Sequence, residues 1–465
     1  MNRESAGSGS DVELTRGSDE ERFTAASLAL KASARGEGVP GASVAVLIGD
    51  QWRVTHHGVD DLRTERPRDE SSRQHVTCLT KVLIAYVAMM LVDRKMISLD
   101  EPLNAFLPDA VRRRDGQVAQ VTLRQLLSHT SGIDESFEEW ALTKAIDADT
   151  EKRRFEEYPQ IAEPGEIFVY SDAGTAMVAL LIERLLGRSW RKAVNEMLLT
   201  PLGITCIPEI ADLDEHYGST IASGHLLDET SDQFQPVPAE TPSGLGDTLG
   251  EYSTCFTIAD TMALAQFALD DGVTRQGKRL LSVDLAQQMR ARQVSVPRHH
   301  LIHSWGLGWF HFDEKSFGFE SAWNGHQNFV QIFPDERVVL VVSANVYPSI
   351  VVYYDVLRAL NMKPWRESEI MPVDPDLCVG TYLSDGYRLV IAPGHKHLRY
   401  QFFQRVTEAE WRQIETGDLV PSQSGGFSGR SGNKILRGSI SPIWSGAELR
   451  PKFFRFAQRV VRRSD

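Results

Sequence analysis

The sequence lacks the signatures of several protein classes. Its four cysteines are widely scattered and show neither zinc-ligand nor disulfide spacing. No apolar run reaches the length of about 20 residues that a transmembrane helix needs, and the first ten residues contain no apolar segment typical of a secretory signal. The net charge of −13 argues against nucleic acid or an anionic membrane as a default partner. We therefore expect a reduced, cytoplasmic, globular protein. The cysteines are Cys78, Cys206, Cys255 and Cys378.

The composition changes along the chain in a way that predicts its domains. Residues 1–20 are rich in Gly, Ser, Asp and Glu, which predicts a disordered tail. Residues 21–365 carry mixed helical and strand patterns and are predicted to form the main domain. Prolines mark a linker over 366–375, and the short alternating strands with Gly-rich turns of 376–465 predict a small all-β domain.

The longest apolar run, Val82–Val92, directly follows a cysteine and a lysine. Because Pro and Gly are absent from Cys78 to Lys95, the run predicts a buried helix with Thr77 as its N-cap. Cys78 would lie in the first turn, with Lys81 on the same face. A thiol at a helix N-terminus beside an ammonium group is favoured as a thiolate, which indicates a nucleophile and its partner. The alternative is a small core cysteine and a lysine that extends towards solvent.

Three further stretches carry chemistry-bearing residues. Residues 126–132 read Leu-Leu-Ser-His-Thr-Ser-Gly and predict a helix that runs into a loop. His129 in this loop suggests a Cys–His dyad, although a structural, hydrogen-bonded histidine that holds a turn is the favoured interpretation. Tyr170-Ser171-Asp172 leads into an apolar helix. Trp323-Asn324-Gly325 stands just before two apolar stretches within 327–344 that predict an antiparallel hairpin.

In this order, the stretches resemble the serine β-lactamase and penicillin-binding-protein superfamily, on its class C β-lactamase, esterase and lovastatin-type acyltransferase branch. Cys78-Leu79-Thr80-Lys81 takes the place of the family's Ser-x-x-Lys element, and residues 126–132 look like that branch's LLxHTSG stretch. Tyr170-Ser171-Asp172 falls where the family has Tyr-x-Asn. Trp323-Asn324-Gly325 falls where lactamases carry Lys-Thr-Gly or His-x-Gly. The match spans roughly residues 38–346.

The resemblance implies a mixed α/β (α+β) fold. An antiparallel sheet flanked by helices would be combined with an all-helical subdomain, and the nucleophile would lie at their junction. Residues 21–365 would be the catalytic domain, and 376–465 is similar to the small β-barrel-like appendages of some family members. Because 376–465 contains none of the matched motifs, we expect it to be dispensable for the chemistry and important for substrate access or stability. No metal or other cofactor is implied.

The same resemblance implies roles for individual residues. Cys78 would be the nucleophile that forms an acyl-enzyme, with Lys81 as its partner and Tyr170 as the acid/base. The oxyanion hole would consist of the backbone N–H groups of Cys78 and His326. The remaining residues of the implied substrate site are Asp172, Trp323, Asn324 and Gly325.

Two departures from the family pattern concern the reacting groups, namely cysteine for serine at 78 and aspartate for asparagine at 172. A carboxylate near Lys81 favours the protonated lysine, which makes it a poor base for a serine hydroxyl. A thiol has an intrinsic pKa of about 8.5 and needs less help. The two changes are therefore consistent with an active enzyme whose site has been re-tuned.

We expect an enzyme that acts on a small-molecule ester, thioester or amide through an acyl-thioester on Cys78. The acyl group would pass to an amine, alcohol or thiol acceptor or to water, with no nucleic-acid or membrane partner. Two alternatives stay open at this point. One is a plain esterase- or amidase-type hydrolase, and the other is a non-catalytic binding protein in which the site has degenerated or the cysteine was introduced.

Overall fold

The computed structural model describes most of the chain. The described residues are 18–107, 119–133, 160–208, 212–228, 233–237, 254–296, 299, 301–363, 373–407, 409–421, 427–431, 434–444, 450–456 and 459–464. Residues 1–17 of the predicted tail and 366–372 of the predicted linker lie outside them. The first helix begins at Asp19, within the predicted tail, because the Ser18 side chain accepts a hydrogen bond from the backbone N–H of Glu21 and forms a capping box with it.

The helices are described in chain order. They are α1 (Asp19–Gly36), α2 (Thr80–Asp93), α3 (Leu123–Leu127), α4 (Asp172–Leu186), α5 (Trp190–Val194), α6 (Thr200–Leu202), α7 (Leu213–Tyr217), α8 (Ile258–Leu269), α9 (Val283–Arg290) and α10 (Ile350–Ala359). A π-helical turn, Asn195–Leu199, joins α5 to α6. None of the helices in the described ranges is long and apolar enough to cross a membrane.

The strands fall into a long series before residue 348 and a second series after residue 379. The first series is β1 (Gly41–Ile48), β2 (Gln51–Asp61), β3 (Arg66–Pro67), β4 (Arg73–His75), β5 (His225–Asp228), β6 (Gln233–Pro236), β7 (Cys255–Thr257), β8 (Val294–Ser295), β9 (Ser304–Trp305), β10 (Phe310–His311), β11 (Phe317–Trp323), β12 (His326–Phe333), β13 (Val338–Ala344) and β14 (Val346–Tyr347). The second series is β15 (Gly380–Leu383), β16 (Tyr387–Ala392), β17 (Leu398–Arg405), β18 (Trp411–Pro421), β19 (Phe427–Ser431), β20 (Lys434–Ile443), β21 (Phe453–Phe456) and β22 (Arg459–Arg463).

A nine-stranded sheet organises the described part of the first series, in the order β3-β2-β1-β13-β12-β11-β10-β9-β8. The neighbouring pairs are antiparallel. Every residue of β1, β12 and β13 is buried, as expected for apolar strands that are covered on both faces. The helix α1 packs against β1, β2 and α10, whereas α8 packs against β1, β12 and β13. The predicted sheet flanked by helices is therefore confirmed.

The helices between β4 and β7 in the chain form the predicted helical subdomain. The helix α2 packs against α4 and α5, and α3 packs against α4. The apolar run predicted to form a buried helix is α2, which is buried from Thr80 to Leu91 because apolar residues cover all of its faces. The residues of α2 join those of the sheet in one hydrophobic core. This places the beginning of α2 at the junction of the sheet and the helices.

The second series of strands closes into an eight-stranded barrel, β15 to β22, in which β15 pairs with both β16 and β22. Alternate residues of β16, namely Tyr387, Leu389 and Ile391, are buried, as the period of two in a strand requires. Large aromatic side chains such as Tyr400 and Phe402 fill the interior. The predicted small all-β domain is therefore confirmed.

Candidate active site

The predicted nucleophile lies in a short 3₁₀ turn, Thr77–Leu79, that leads directly into α2. The prediction that Thr77 caps the helix is wrong. Neither the turn nor α2 has a side-chain cap, because the chain enters α2 with Val76 and Leu79 already in the helical region. Thr77 instead has a φ of +35°, a strained conformation for a β-branched residue. Cys78 is partly exposed and packs against the core.

A buried ion pair joins the first turn of α2 to the start of α4. Lys81, one helical turn after Cys78, binds the Asp172 carboxylate, and their side chains are 3% and 30% exposed. Asp172 is the first residue of α4, where the helix dipole favours a negative charge. The Lys81 ammonium also lies 5.0 Å from the centre of the Tyr170 ring. The structure thus brings together Lys81, Tyr170 and Asp172, three of the residues predicted for the site.

His129 supports this group rather than extending it. Its ring lies 4.7 Å from that of Tyr170 and 4.8 Å from that of Trp305. The backbone N–H of Ser171 donates to His129 Nδ1 at 3.0 Å. Burial lowers the pKa of His129 to about 3, and the nearby charge of Lys81 acts in the same direction. A neutral imidazole whose Nδ1 already accepts a hydrogen bond agrees with the structural interpretation of His129 and argues against a Cys78–His129 dyad.

The Trp323–His326 stretch forms the turn between β11 and β12. Asn324 and Gly325 have φ values of +47° and +74°, as in a two-residue type I′ hairpin turn. Trp323 and His326 face each other across this turn. In such a turn the N–H of the last residue donates to the carbonyl of the first. The N–H of His326 is therefore directed into the hairpin, and this geometry does not favour His326 as an oxyanion donor.

The edge of β11 offers a different donor. On β11, only Phe317 and Gly318 pair with the neighbouring strand β10. The strand β11 also lies against the turn that carries Cys78. In an antiparallel hairpin, N–H groups alternate between the partner strand and the outer edge. Because Trp323 is paired inwards with His326, the N–H of Ala322 faces outwards, on the side that β10 leaves uncovered. Sequence reasoning missed this residue because an alanine in a strand carries no signal of its own.

The imidazole of His326 is buried next to other histidines. The His75 ring lies 5.3 Å from that of His326 and 5.7 Å from that of Trp323. Burial lowers the pKa of His326 well below its usual value, and the nearby His75, Arg68 and His225 act in the same direction. His75 Nδ1 lies 3.2 Å from the Sγ of Cys255. His326 is therefore a neutral packing group, and the His75 ring borders both His326 and Trp323.

A buried polar network fixes the strand that precedes Cys78. The Arg68 guanidinium binds Asp60 at 3.1 Å and Gln74 at 2.8 Å. Gln74 in turn donates to Asn328 and to the backbone carbonyl of Ala344, and Asn328 donates to the carbonyl of His75 at 3.0 Å. The network ties β4 to β12 and β13 and so holds the entry to the Cys78 turn. Sequence reasoning missed it because its members are far apart in the chain.

Across the ranges that the structure covers, no group of three His, Cys, Asp or Glu side chains could hold a metal ion. The groups that the structure gathers around the start of α2 are suited to nucleophilic and acid–base chemistry. A partly exposed thiol begins a buried helix, an ammonium–carboxylate pair lies one turn further on, and a phenol ring packs against that ammonium. Groups of these kinds can form and resolve an acyl-enzyme.

Comparison with known proteins identifies the class of this fold and site. The family model described as Beta-lactamase matches residues 28–355, well over half of the chain. The chain therefore belongs to the beta-lactamase family, and the predicted superfamily is confirmed. It is similar to Penicillin-binding protein 4 of Amycolatopsis lactamdurans, with 28% identity over 373 residues that cover 75% of this chain and 94% of that protein.

Solved structures extend the likeness. SurE has a TM-score of 0.72 at 21% identity and covers 96% of this chain and 100% of its own, so that the fold match includes the barrel. EstCE1, described as a hydrolase with promiscuous acyltransferase activity, has a TM-score of 0.60 at 18% identity and covers 74% of this chain and 100% of its own. These two likenesses show that the chain has the beta-lactamase fold.

The four cysteines should differ sharply in reactivity. We expect iodoacetamide to label Cys78 about 10-fold or more faster than Cys206 near neutral pH, because Cys78 lies at a helix N-terminus beside a lysine. Cys206 is the matched control, since it is also partly exposed. Burial raises the pKa of the Cys255 thiol and encloses Cys378, so these two should stay unlabelled in the folded protein. Peptide mapping after brief alkylation measures the four rates, and equal labelling of Cys78 and Cys206 would contradict the thiolate argument.

His129 should remain neutral through the physiological range. Its folded pKa of about 3 lies below the unfolded value of 6.5, so the unfolded chain binds the extra proton as the pH falls between these values. The stabilisation that comes from neutral His129 is present above pH 6.5 and is lost as the pH falls towards 3, by at most about 1.4 kcal/mol per pH unit. Its ring signals in an NMR titration should not move between pH 5 and 8. A midpoint within that window would show that His129 is not held neutral.

Proposed function

We propose that the protein is an acyl-transferring enzyme that works through a covalent thioester on Cys78. The donor is a small-molecule ester, thioester or amide, and the acceptor is an amine, an alcohol, a thiol or water. The observation that carries the proposal is the buried pair of Lys81 and Asp172, one helical turn after Cys78. This pair keeps the lysine charged, and a charged lysine suits a thiolate nucleophile better than a serine.

The acylation step follows from these groups. The Cys78 thiolate, stabilised by the Lys81 ammonium and the N-terminal end of the α2 segment, attacks the donor carbonyl and forms a C–S bond. The carbonyl oxygen becomes an oxyanion. When the tetrahedral intermediate collapses, the bond to the leaving group breaks, and that group takes a proton from the Tyr170 hydroxyl. The products are the acyl-thioester on Cys78 and the protonated leaving group.

Resolution of the thioester reverses the roles. The acceptor attacks the thioester carbonyl and gives its proton to the Tyr170 phenolate, and the C–S bond breaks to restore the Cys78 thiolate. Amines and thiols attack a thioester readily, whereas water needs a stronger base. Because Lys81 is held as an ammonium by Asp172, the site favours transfer over hydrolysis. This favours a transacylase, with a plain hydrolase as the competing outcome.

The oxyanion is bound by two backbone N–H groups. One belongs to Cys78 and the other to Ala322, whose N–H faces outwards on the edge of β11 beside the Cys78 turn. Donors of this kind are each worth about 3–4 kcal/mol to the transition state. Trp323 is the next residue along β11. Its ring meets that of His75 edge-on at 5.7 Å and presents an apolar surface to the acyl group.

The roles of Lys81 and Tyr170 can be separated kinetically. Lys81→Ala should lose most acyl-enzyme formation because the thiolate loses its counter-ion, whereas Tyr170→Phe should slow resolution at least as strongly, by roughly 10²–10⁴-fold. Single-turnover kinetics with an activated ester measures both steps. Tyr353→Phe is the matched control, since it also removes a buried hydroxyl, the one that donates to Gln331, away from this site. Wild-type turnover in both site variants would refute the assigned roles.

The nature of the nucleophile should decide how the acyl group partitions. An added amine or thiol acceptor should raise product release well above the hydrolytic rate in the wild type. Cys78→Ser should acylate more slowly and transfer less, because the serine needs a base that the Lys81–Asp172 pair does not supply. Cys78→Ser combined with Asp172→Asn should recover part of the loss. The measurement is the ratio of transferred to hydrolysed product across acceptor concentrations. A wild type that only hydrolyses, whatever acceptor is added, would contradict the transferase proposal and indicate an esterase or thioesterase.

A further inference from the structure

Among the described residues, the barrel packs against the catalytic domain in a buried apolar cluster. A separate buried cluster joins residues of the 160–169 segment to residues of β20, β21 and β22, and it belongs to neither domain's main core. The members of this interdomain cluster are Ile161, Ala162, Ile167, Val169, Ile443, Phe453 and Val460. The segment concerned ends just before Tyr170, so the barrel contacts the part of the chain that delivers the proposed acid/base.

Two basic residues of the barrel add polar contacts to the same segment. Lys452 forms a 2.5 Å ion pair with Glu166, and the two side chains are 25% and 13% exposed. Arg455, on β21, donates from Nη2 to the backbone carbonyl of Phe168 at 3.4 Å. Its guanidinium also lies 5.5 Å from the centre of the Phe168 ring. Arg455 is 4% exposed, and burial lowers its pKa to about 10, so that it remains charged at neutral pH.

The contacts continue from Phe168 to Tyr170 through a cluster of rings. The Phe168 ring lies 5.2 Å from Trp305 and 5.9 Å from His129. Both of these rings also touch Tyr170, at 5.7 Å and 4.7 Å. The Lys81 ammonium lies 5.0 Å from the centre of the Tyr170 ring. A continuous series of packed groups therefore runs from Arg455 in the barrel to Lys81 in the active site.

Regular secondary structure does not hold this segment in place. From residue 160 to residue 171 it forms no helix and no strand beyond a single bridge at Gln160. On its inner side, backbone bonds attach it to the 129–132 loop, where Ile161 donates to Gly132, Gly165 to Thr130 and Val169 to His129. On its outer side lies the barrel. A loop that is held between two surfaces takes its position from both of them.

We propose that the barrel is a positioning element for the active site and that Arg455, acting through Phe168, fixes the Tyr170 hydroxyl for proton transfer. The inference rests on the proposed role of Tyr170. It reverses the expectation that the chemistry is independent of the barrel. An acid/base must stay within hydrogen-bond reach of the reacting atom, and a displacement of about 1 Å can cost about 100-fold in rate.

The test compares Arg455→Met with Arg399→Met. Arg399 is the matched control because it is an exposed barrel arginine near Asp418 of the same barrel. Arg455→Met should slow the resolution of the acyl-enzyme by about 10-fold or more and shift the pH profile of that step, while Arg399→Met should change neither. Lys452→Met should produce a smaller loss in the same step. Arg455→Lys should recover part of the rate, since an ammonium can still meet the Phe168 ring and carbonyl.

A double variant separates positioning from a general loss of structure. In a Tyr170→Phe background, Arg455→Met should change the rate of resolution by less than about 2-fold, because both substitutions act through the same hydroxyl. An equal loss in both backgrounds would overturn the inference. Near-UV circular dichroism and the melting temperature should be similar in the Met and Lys variants at 455, which shows that the kinetic difference does not come from unfolding.

A measurement that does not depend on activity distinguishes failure of this inference from failure of the proposed function. The full-length protein is labelled with 3-fluorotyrosine, and the signal of Tyr170 is assigned from its absence in Tyr170→Phe. The fluorine signal should shift or broaden in Arg455→Met and stay in place in Arg399→Met. An unchanged signal in Arg455→Met overturns the positioning role, whatever the kinetics. If the signal shifts in Arg455→Met but Tyr170→Phe keeps wild-type kinetics, the catalytic role of Tyr170 is refuted instead.

Discussion

The buried ion pair of Lys81 and Asp172 is the constraint on which the site depends. Lys81 is 3% exposed, and a buried charge that loses its partner costs about 3–5 kcal/mol. The pair joins the first turn of α2, which begins next to Cys78, to the first residue of α4, which begins next to Tyr170. This interaction between two helices therefore helps to place Cys78 and Tyr170, the proposed nucleophile and acid/base.

The same pair narrows the chemistry that the site supports. An ammonium held by a carboxylate is a good partner for an anion and a poor base for a neutral hydroxyl. In the proposed mechanism the cysteine at position 78 supplies the anion, because a thiol ionises far more readily than a serine hydroxyl. The cysteine and the aspartate are therefore best understood together, as two parts of one change from the serine-based pattern of the superfamily.

Much of this arrangement follows from local sequence. The apolar run after Cys78 dictates a buried helix, and the three-residue spacing of Lys81 places it one turn away. Two apolar stretches after Trp323 dictate the hairpin of β12 and β13. The alternating residues of β16 dictate a strand in an all-β unit. In each case the pattern lies within one element, where periodicity alone decides which residues are buried.

Other features depend on register or on contacts that are distant in the chain. A single step along a strand reverses the direction of an N–H group, so the motif alone did not distinguish His326 from Ala322. Thr77 is a residue type that often caps helices, but the chain reaches α2 through a 3₁₀ turn. The contact between Arg455 and Phe168 joins residues 287 positions apart, and no local pattern in either segment predicts it.

The central claim is that Cys78 carries the acyl group. The most direct test is to mix the protein with an activated acyl donor, quench within the first turnover and measure the intact mass with peptide mapping. The account predicts one added acyl group on Cys78, cleavable by hydroxylamine, that appears and disappears at rates fast enough to support turnover. The Cys78→Ala variant should show neither the acyl adduct nor activity. Full turnover without a Cys78 adduct, or full turnover in Cys78→Ala, would contradict the account.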